Sequence, residues 1–144
     1  MKRITVIAWI YLLSLMASAV RADEAARVVV VVSSQNPIKT LSRAQLTDIY
    51  LGRMNRFPNG NLVKPVDLSE SSPTRGEFYS RYLGRSQSQI KAHWSKLLFT
   101  GRGQPPPTVS SGDAMAELVA ENPNTIGYLS PDFLDERLRV VPID

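Results

Sequence analysis

Leu62-Val63-Lys64-Pro65-Val66, followed by Ser69-Glu70-Ser71-Ser72-Pro73-Thr74-Arg75-Gly76-Glu77-Phe78, sets an apolar run, a hydroxyl-rich turn and a helix start in series. A strand leading through such a turn into a helix is a ready place for an oxyanion. The first helical N–H groups have no intrahelical acceptor, and the helix dipole adds partial positive charge there. Ser71, Ser72 and Thr74 supply hydroxyls and Arg75 a fixed cation. The same residues also read as an ordinary helix cap, because Thr74 and Glu77 stand at capping-box spacing. Spacing alone does not separate the two readings.

Outward from this stretch, strand and helix patterns alternate. Arg27 to Val32 includes five consecutive valines, the pattern of a central strand covered on both faces. Ser42-Arg43-Ala44-Gln45 is a capping box, with Leu46, Ile49 and Tyr50 at helical spacing and Gly52 as the stop. Leu62 to Leu68 reads as a second strand, placed near an edge or a bulge by Pro65. Helices are expected over 74–83, 86–98 and 111–121, with an irregular loop over 100–108. Further strands are expected over 125–129 and 138–141, with a helical turn over 131–135. The alternation predicts an α/β fold with a small mixed sheet flanked by helices.

The 144 residues suit one domain. Met1-Lys2-Arg3, the apolar run Ile4 to Ala17 and the small residues at Ala17-Ser18-Ala19 and Val20-Arg21-Ala22 have the pattern of a secretory signal peptide. The expected division is a leader over residues 1–22, cut after Ala22 or after Ala19, and an α/β domain over 23–144 in the periplasm or outside the cell. The leader holds Lys2, Arg3 and Arg21 of the 17 basic residues and none of the 13 acidic ones, so the processed chain is close to neutral at +1. The basic balance of the whole chain is therefore no signal for nucleic acid. The chain has no cysteine, which excludes disulfides, thiolate chemistry and lipid attachment at the leader junction.

Catalytic chemistry has no visible carriers. His93 is the single histidine and has no partner at metal or triad spacing. No phosphate-loop or dinucleotide motif occurs. Asp132, Asp135 and Glu136 read as a solvated face. No catalytic residue, metal ligand or cofactor is assigned, and a non-enzymatic binding protein is expected. Its candidate contacts lie in three hydroxyl-rich turns: Ser33 and Ser34, Ser71 to Thr74, and Ser110 and Ser111. In α/β sheets such turns gather at the carboxyl ends of strands.

The order of these motifs resembles the phosphate-binding proteins of ABC transporters. Leu41 to Arg53, with Asp48-Ile49-Tyr50-Leu51-Gly52, is similar to a helix segment of that family. Ser72-Pro73-Thr74-Arg75-Gly76-Glu77-Phe78 stands where the family has S-G-T-x-x-x-F, and Ser110 to Val119 with Ile126-Gly127-Tyr128 resembles its late segment. The resemblance runs over residues 28–130 and is nearest to short exported members of the superfamily. It implies one lobe of the type 2 periplasmic-binding fold. It implies a small oxyanion such as phosphate, held through Ser72, Thr74 and Arg75 with Ser71, Ser110, Ser111, Ser33 and Ser34 in support. It also implies a membrane transporter or sensor protein as partner, or a second copy of the chain to complete the site. Leu68 stands where the family has its phosphate-binding Arg. Pro73 stands where it has Gly, which removes a backbone N–H from the cradle. The resemblance thus leaves open a weak oxyanion binder or a protein-interaction or sensory module that binds no phosphate.

Overall fold

The computed structural model describes residues 27–144; the expected leader and both cleavage positions lie outside the described residues. Among the described residues there are six strands: β1 (Val29–Ser33), β2 (Lys64–Pro65), β3 (Asp67–Leu68), β4 (Thr108–Val109), β5 (Thr125–Leu129) and β6 (Leu138–Val140). The α-helices are α1 (Arg43–Tyr50), α2 (Pro73–Phe78), α3 (Gln87–Phe99) and α4 (Gly112–Glu121). A π-helical turn, Tyr79–Leu83, continues α2, and a 3-10 turn spans Pro131–Phe133.

The four-stranded sheet has the order β2-β5-β1-β6. The valine strand β1 is central and antiparallel to both β5 and β6, while β2 is parallel to β5 at the edge. Pro65 suits that edge, where a missing donor breaks no ladder. The expected single strand over 62–68 is in fact two. Between Pro65 and Asp67 the chain leaves the main sheet, and β3 pairs in parallel with β4 as a second small sheet. β4 begins at the last residue of the segment expected to be an irregular loop, because two residues that follow a proline run carry too little periodicity to read.

Capping sets the helix starts. Ser42 and Ser86 each close a capping box, with Gln45 and Gln89. The box expected at Thr74 and Glu77 does not form. Pro73 is already helical, Ser72 is the cap residue and caps through no side-chain bond, and the Glu77 carboxylate instead accepts from the backbone of Val28 at 3.2 Å. Proline is suited to the first helical position, which moved the start one residue earlier. Gly52 and Gly84 stop their helices in the left-handed region, at φ 74° and 62°.

The sheet is covered on both faces. Successive residues of a strand point to opposite sides, and β5 shows both. Gly127 faces α4, where an added Cβ would lie 2.5 Å from Met115 Sδ and 2.9 Å from Val119 Cγ2. Its neighbour Tyr128 faces the other way and stacks on Phe78, centroids 3.8 Å apart and rings 2° from parallel. Tyr50 joins the same aromatic cluster at 4.8 Å from Phe78 and donates from its hydroxyl to Val66 O at 3.0 Å.

A Gly127→Ala variant is expected to lose about 1–3 kcal/mol, the usual cost of overpacking a close-fitted core. Urea denaturation of the two proteins measures it directly.

Candidate functional site

The fold gathers its polar residues around one buried carboxylate. Asp67 is 3% exposed, at the start of β3. Arg75 Nε donates to its Oδ2 at 3.2 Å and Tyr79 Oη to the same oxygen at 2.6 Å. Its Oδ1 accepts from the Leu68 backbone at 2.9 Å and, in a short bond, from Tyr128 Oη. Arg75 is itself 7% exposed. Its Nη1 donates to Gln87 Oε1 at 2.5 Å, and its guanidinium lies over the Tyr79 ring, 5.1 Å from the centroid. One carboxylate thus ties together β3, α2, the π turn, β5 and, through Arg75 and Gln87, α3.

Two turns converge beside this network. Because β3 and β4 run in parallel, the turns that leave them emerge at the same end. Ser69 N donates to Val109 O at 3.0 Å and stitches the two together. Ser71 meets the Ser69 hydroxyl at 3.3 Å, and Ser72 N donates to Ser69 O at 2.9 Å. Thr74 lies half-buried on the first turn of α2, Ser110 is exposed, and the Ser111 hydroxyl is occupied as the cap of α4, accepting from Ala114 N at 3.1 Å. Arg75, expected as a fixed cation for the ligand, is the ion-pair partner of Asp67. Its charge is compensated inside the protein.

Ser33 and Ser34 lie elsewhere. β1 runs against β5, so its carboxyl end is at the opposite end of the sheet from the carboxyl end of β5. Ser33 is buried and donates to Ala120 O at 3.4 Å, near the far end of the helix that Ser111 begins. Nine residues of helix separate Ala120 from Ser111, a rise of about 14 Å. No single anion spans that gap with hydrogen bonds of about 3 Å. The expectation of three turns at one end assumed strands of one direction, and the antiparallel β1 removes one turn from the set.

Asp67, Tyr79 and Tyr128 are central to the site and were not singled out for it from the sequence. The available signal was a lone aspartate inside the apolar run Val66-Asp67-Leu68. A carboxylate there demands buried donors, yet the side-chain donors come from residues 8 to 61 positions away. His93 packs at the edge of Trp94, with its Nε2 3.0 Å from Leu51 O. Among the described residues no cluster of His, Cys, Asp and Glu suits a metal ion.

No family model matches the chain, and no curated protein matches it. Solved structures do. The fold is that of a single domain of phosphate-transport binding proteins. The chain is similar to an ABC-type phosphate transport receptor from Vibrio cholerae, with 24% identity and a TM-score of 0.64. It is similar also to a phosphate ABC transporter substrate-binding protein with bound phosphate from Clostridium perfringens, at 22% and 0.63, and to PstS from Borrelia burgdorferi, at 13% and 0.62. Each similarity covers 81% of this chain but only 44–47% of the other. The chain thus spans under half the length of the receptors it resembles.

Burial, reinforced by the Asp67 charge, pushes the Tyr79 and Tyr128 phenols far above the usual tyrosine range. A phenol whose folded value is raised stabilises the fold fully below its unfolded value, about pH 10, and that stability is lost as pH rises above it. Stability is therefore expected to fall above about pH 10, and Tyr79→Phe and Tyr128→Phe are each expected to flatten that fall. At neutral pH each substitution removes a hydrogen bond to a charged group, costing about 1.5–3 kcal/mol. Chemical denaturation at a series of pH values separates the two effects.

Proposed function

We propose that the chain is an exported, non-enzymatic binding module that takes a small oxyanion such as phosphate weakly at the paired turns Ser69–Ser72 and Ser110–Ser111. The observation that carries this reading is the parallel pairing of β3 with β4, which brings two hydroxyl-rich turns to one end. Export is supported by the basic start and apolar run of residues 1–22. The division into a leader and a domain over 23–144 follows from it.

In this reading Ser71, Ser72, Thr74 and Ser110 offer hydroxyls, and Ser111 contributes through the backbone of the helix it caps. Arg75 acts behind the turn, holding it against Asp67, and does not itself grip the anion. Ser33 and Ser34 have no part in this site. A single open wall leaves the anion hydrated on its far side. Helix-terminus contacts to an exposed anion are worth about 0.3–1 kcal/mol each, so millimolar affinity is the natural scale. A transporter, a sensor protein or a second copy of the chain would supply the other wall.

A second reading is a protein-interaction or sensory module that binds no phosphate. The Arg75–Asp67 pair favours it, because the cation on the first turn of α2 is already neutralised.

Isothermal titration of the processed chain with phosphate at low ionic strength decides between them. Saturable millimolar binding, weakened several-fold by Ser72→Ala and by Ser110→Ala with folding intact, is expected from the first reading. No heat and no thermal shift at high phosphate would remove it and leave the second.

A further inference from the structure

Phe99, the last residue of α3, is the most exposed large apolar residue of the described chain, at 93%, and its neighbour Leu98 is 52% exposed. Leu97 before them packs on the core. Successive helix residues turn by about 100°, so Leu98 stands to the side of the helix and Phe99 nearly opposite the core. The backbone beneath them is closed. Gly101, at φ 67°, ends the helix in a Schellman motif, with Gly101 N donating to Leu98 O at 3.2 Å and Arg102 N to Leu97 O at 2.9 Å. Thr100 donates from its backbone to Lys96 O at 3.1 Å and from its hydroxyl to the same oxygen at 2.9 Å. Helix ends ordinarily show their last carbonyls to water. Here Lys96 O, Leu97 O and Leu98 O all have donors within the chain.

Two cations flank this tip. Lys96 precedes Phe99 by three residues, which makes the two neighbours on the helix surface, and Arg102 follows the glycine stop. Both are exposed. The ion pairs of the described residues are formed by Arg53, Arg75, Arg81 and Arg137, and neither Lys96 nor Arg102 belongs to one. Between Glu77 and Asp113 the chain contains no Asp or Glu. Lys91, higher on α3, lines a separate polar pocket with Glu70 and takes no part. The negative end of the helix dipole amounts to about half a charge, so two full cations outweigh it.

We propose that the tip of α3 docks to an anionic lipid surface, with Leu98 and Phe99 entering the interface and Lys96 and Arg102 meeting lipid phosphates. The two apolar side chains point in different directions around one helix end. A fluid interface surrounds both at once, whereas a rigid groove on a protein would have to be shaped to each. Long basic side chains lay their stems along apolar surface and keep their charged heads in the polar layer, which suits them to stand beside inserted residues. The capped carbonyls let the helix end leave water without unpaired acceptors, the requirement that lipid imposes on any backbone. A second copy of this chain is the poorer occupant, because two such tips docked together bring Lys96 and Arg102 against their own copies. None of these residues belongs to the serine turns, so lipid docking does not rest on the oxyanion reading.

The test is sedimentation of the processed chain with vesicles of equal parts phosphatidylglycerol and phosphatidylcholine, beside vesicles of phosphatidylcholine alone. Binding at about millimolar lipid is expected for the mixed vesicles, the scale that two basic and two apolar side chains reach. It should weaken with salt and fall about tenfold or more without the anionic lipid. Phe99→Ala is expected to weaken it about tenfold, and Lys96→Glu about tenfold or more. Lys39→Glu makes the same change of net charge at an exposed site far from the tip in sequence, and should change binding much less. In Phe99→Trp the new indole should shift its emission to the blue on the mixed vesicles, which reports entry of this side chain into the interface. Circular dichroism confirms that the variants are folded, as all three positions are on the surface. No binding to the mixed vesicles, binding indifferent to Phe99→Ala, an equal loss in Lys39→Glu, or no blue shift would overturn the proposal. So would self-association that depends on Phe99 in the absence of lipid. Ser72→Ala and Ser110→Ala should leave vesicle binding unchanged, and Phe99→Ala should leave the phosphate titration unchanged, so a failure here and a failure of the oxyanion reading are told apart.

Discussion

The Asp67 carboxylate is the constraint on which the rest of the structure depends. A buried charge is tolerated only when it is paired and fully hydrogen-bonded. Here that requirement draws four donors from four segments: Arg75, Tyr79, Tyr128 and the Leu68 backbone. Satisfying the carboxylate therefore fixes how α2 and its π-helical continuation sit on the sheet. The aromatic rings that bring the hydroxyls also fill the core around it, with Phe78 stacked on Tyr128 and Tyr50 edge-on to both Phe78 and Tyr79. Polar satisfaction and apolar packing are here the same set of side chains.

The same network decides what the adjoining turn can do. A guanidinium held by Asp67 and Gln87 orients the start of α2 but has little charge to lend an external anion. What remains at the surface is a pair of hydroxyl-bearing turns held side by side by parallel strands. Such a surface gives contacts without enclosure.

Much of the fold was legible because its signals are local. The valine run declared a central strand, and Ser42 declared its helix through a capping box that the structure contains. The motif order carried the resemblance to phosphate-binding proteins, and the fold agrees with it. What escaped the sequence is what depends on direction and distance. Strand polarity, which separates Ser33 from Ser111, leaves no mark on composition. The two-residue strands β3 and β4 are too short for a period. Arg75 beside a serine turn looks like a ligand contact until Asp67, eight residues earlier, is seen to claim it. The sequence holds both residues, but only the fold shows that they face each other.

A double-mutant cycle between Asp67→Asn and Arg75→Gln, read by chemical denaturation at neutral pH, tests this account most directly. If the pair is the buried tie described here, each single variant loses about 3–5 kcal/mol, because each leaves one partner uncompensated. The double variant then loses clearly less than the sum, with a coupling on the order of 2 kcal/mol. Losses that add within about 0.5 kcal/mol would mean that the two side chains do not depend on each other. Arg75 would then be free to serve a ligand, contrary to the central claim.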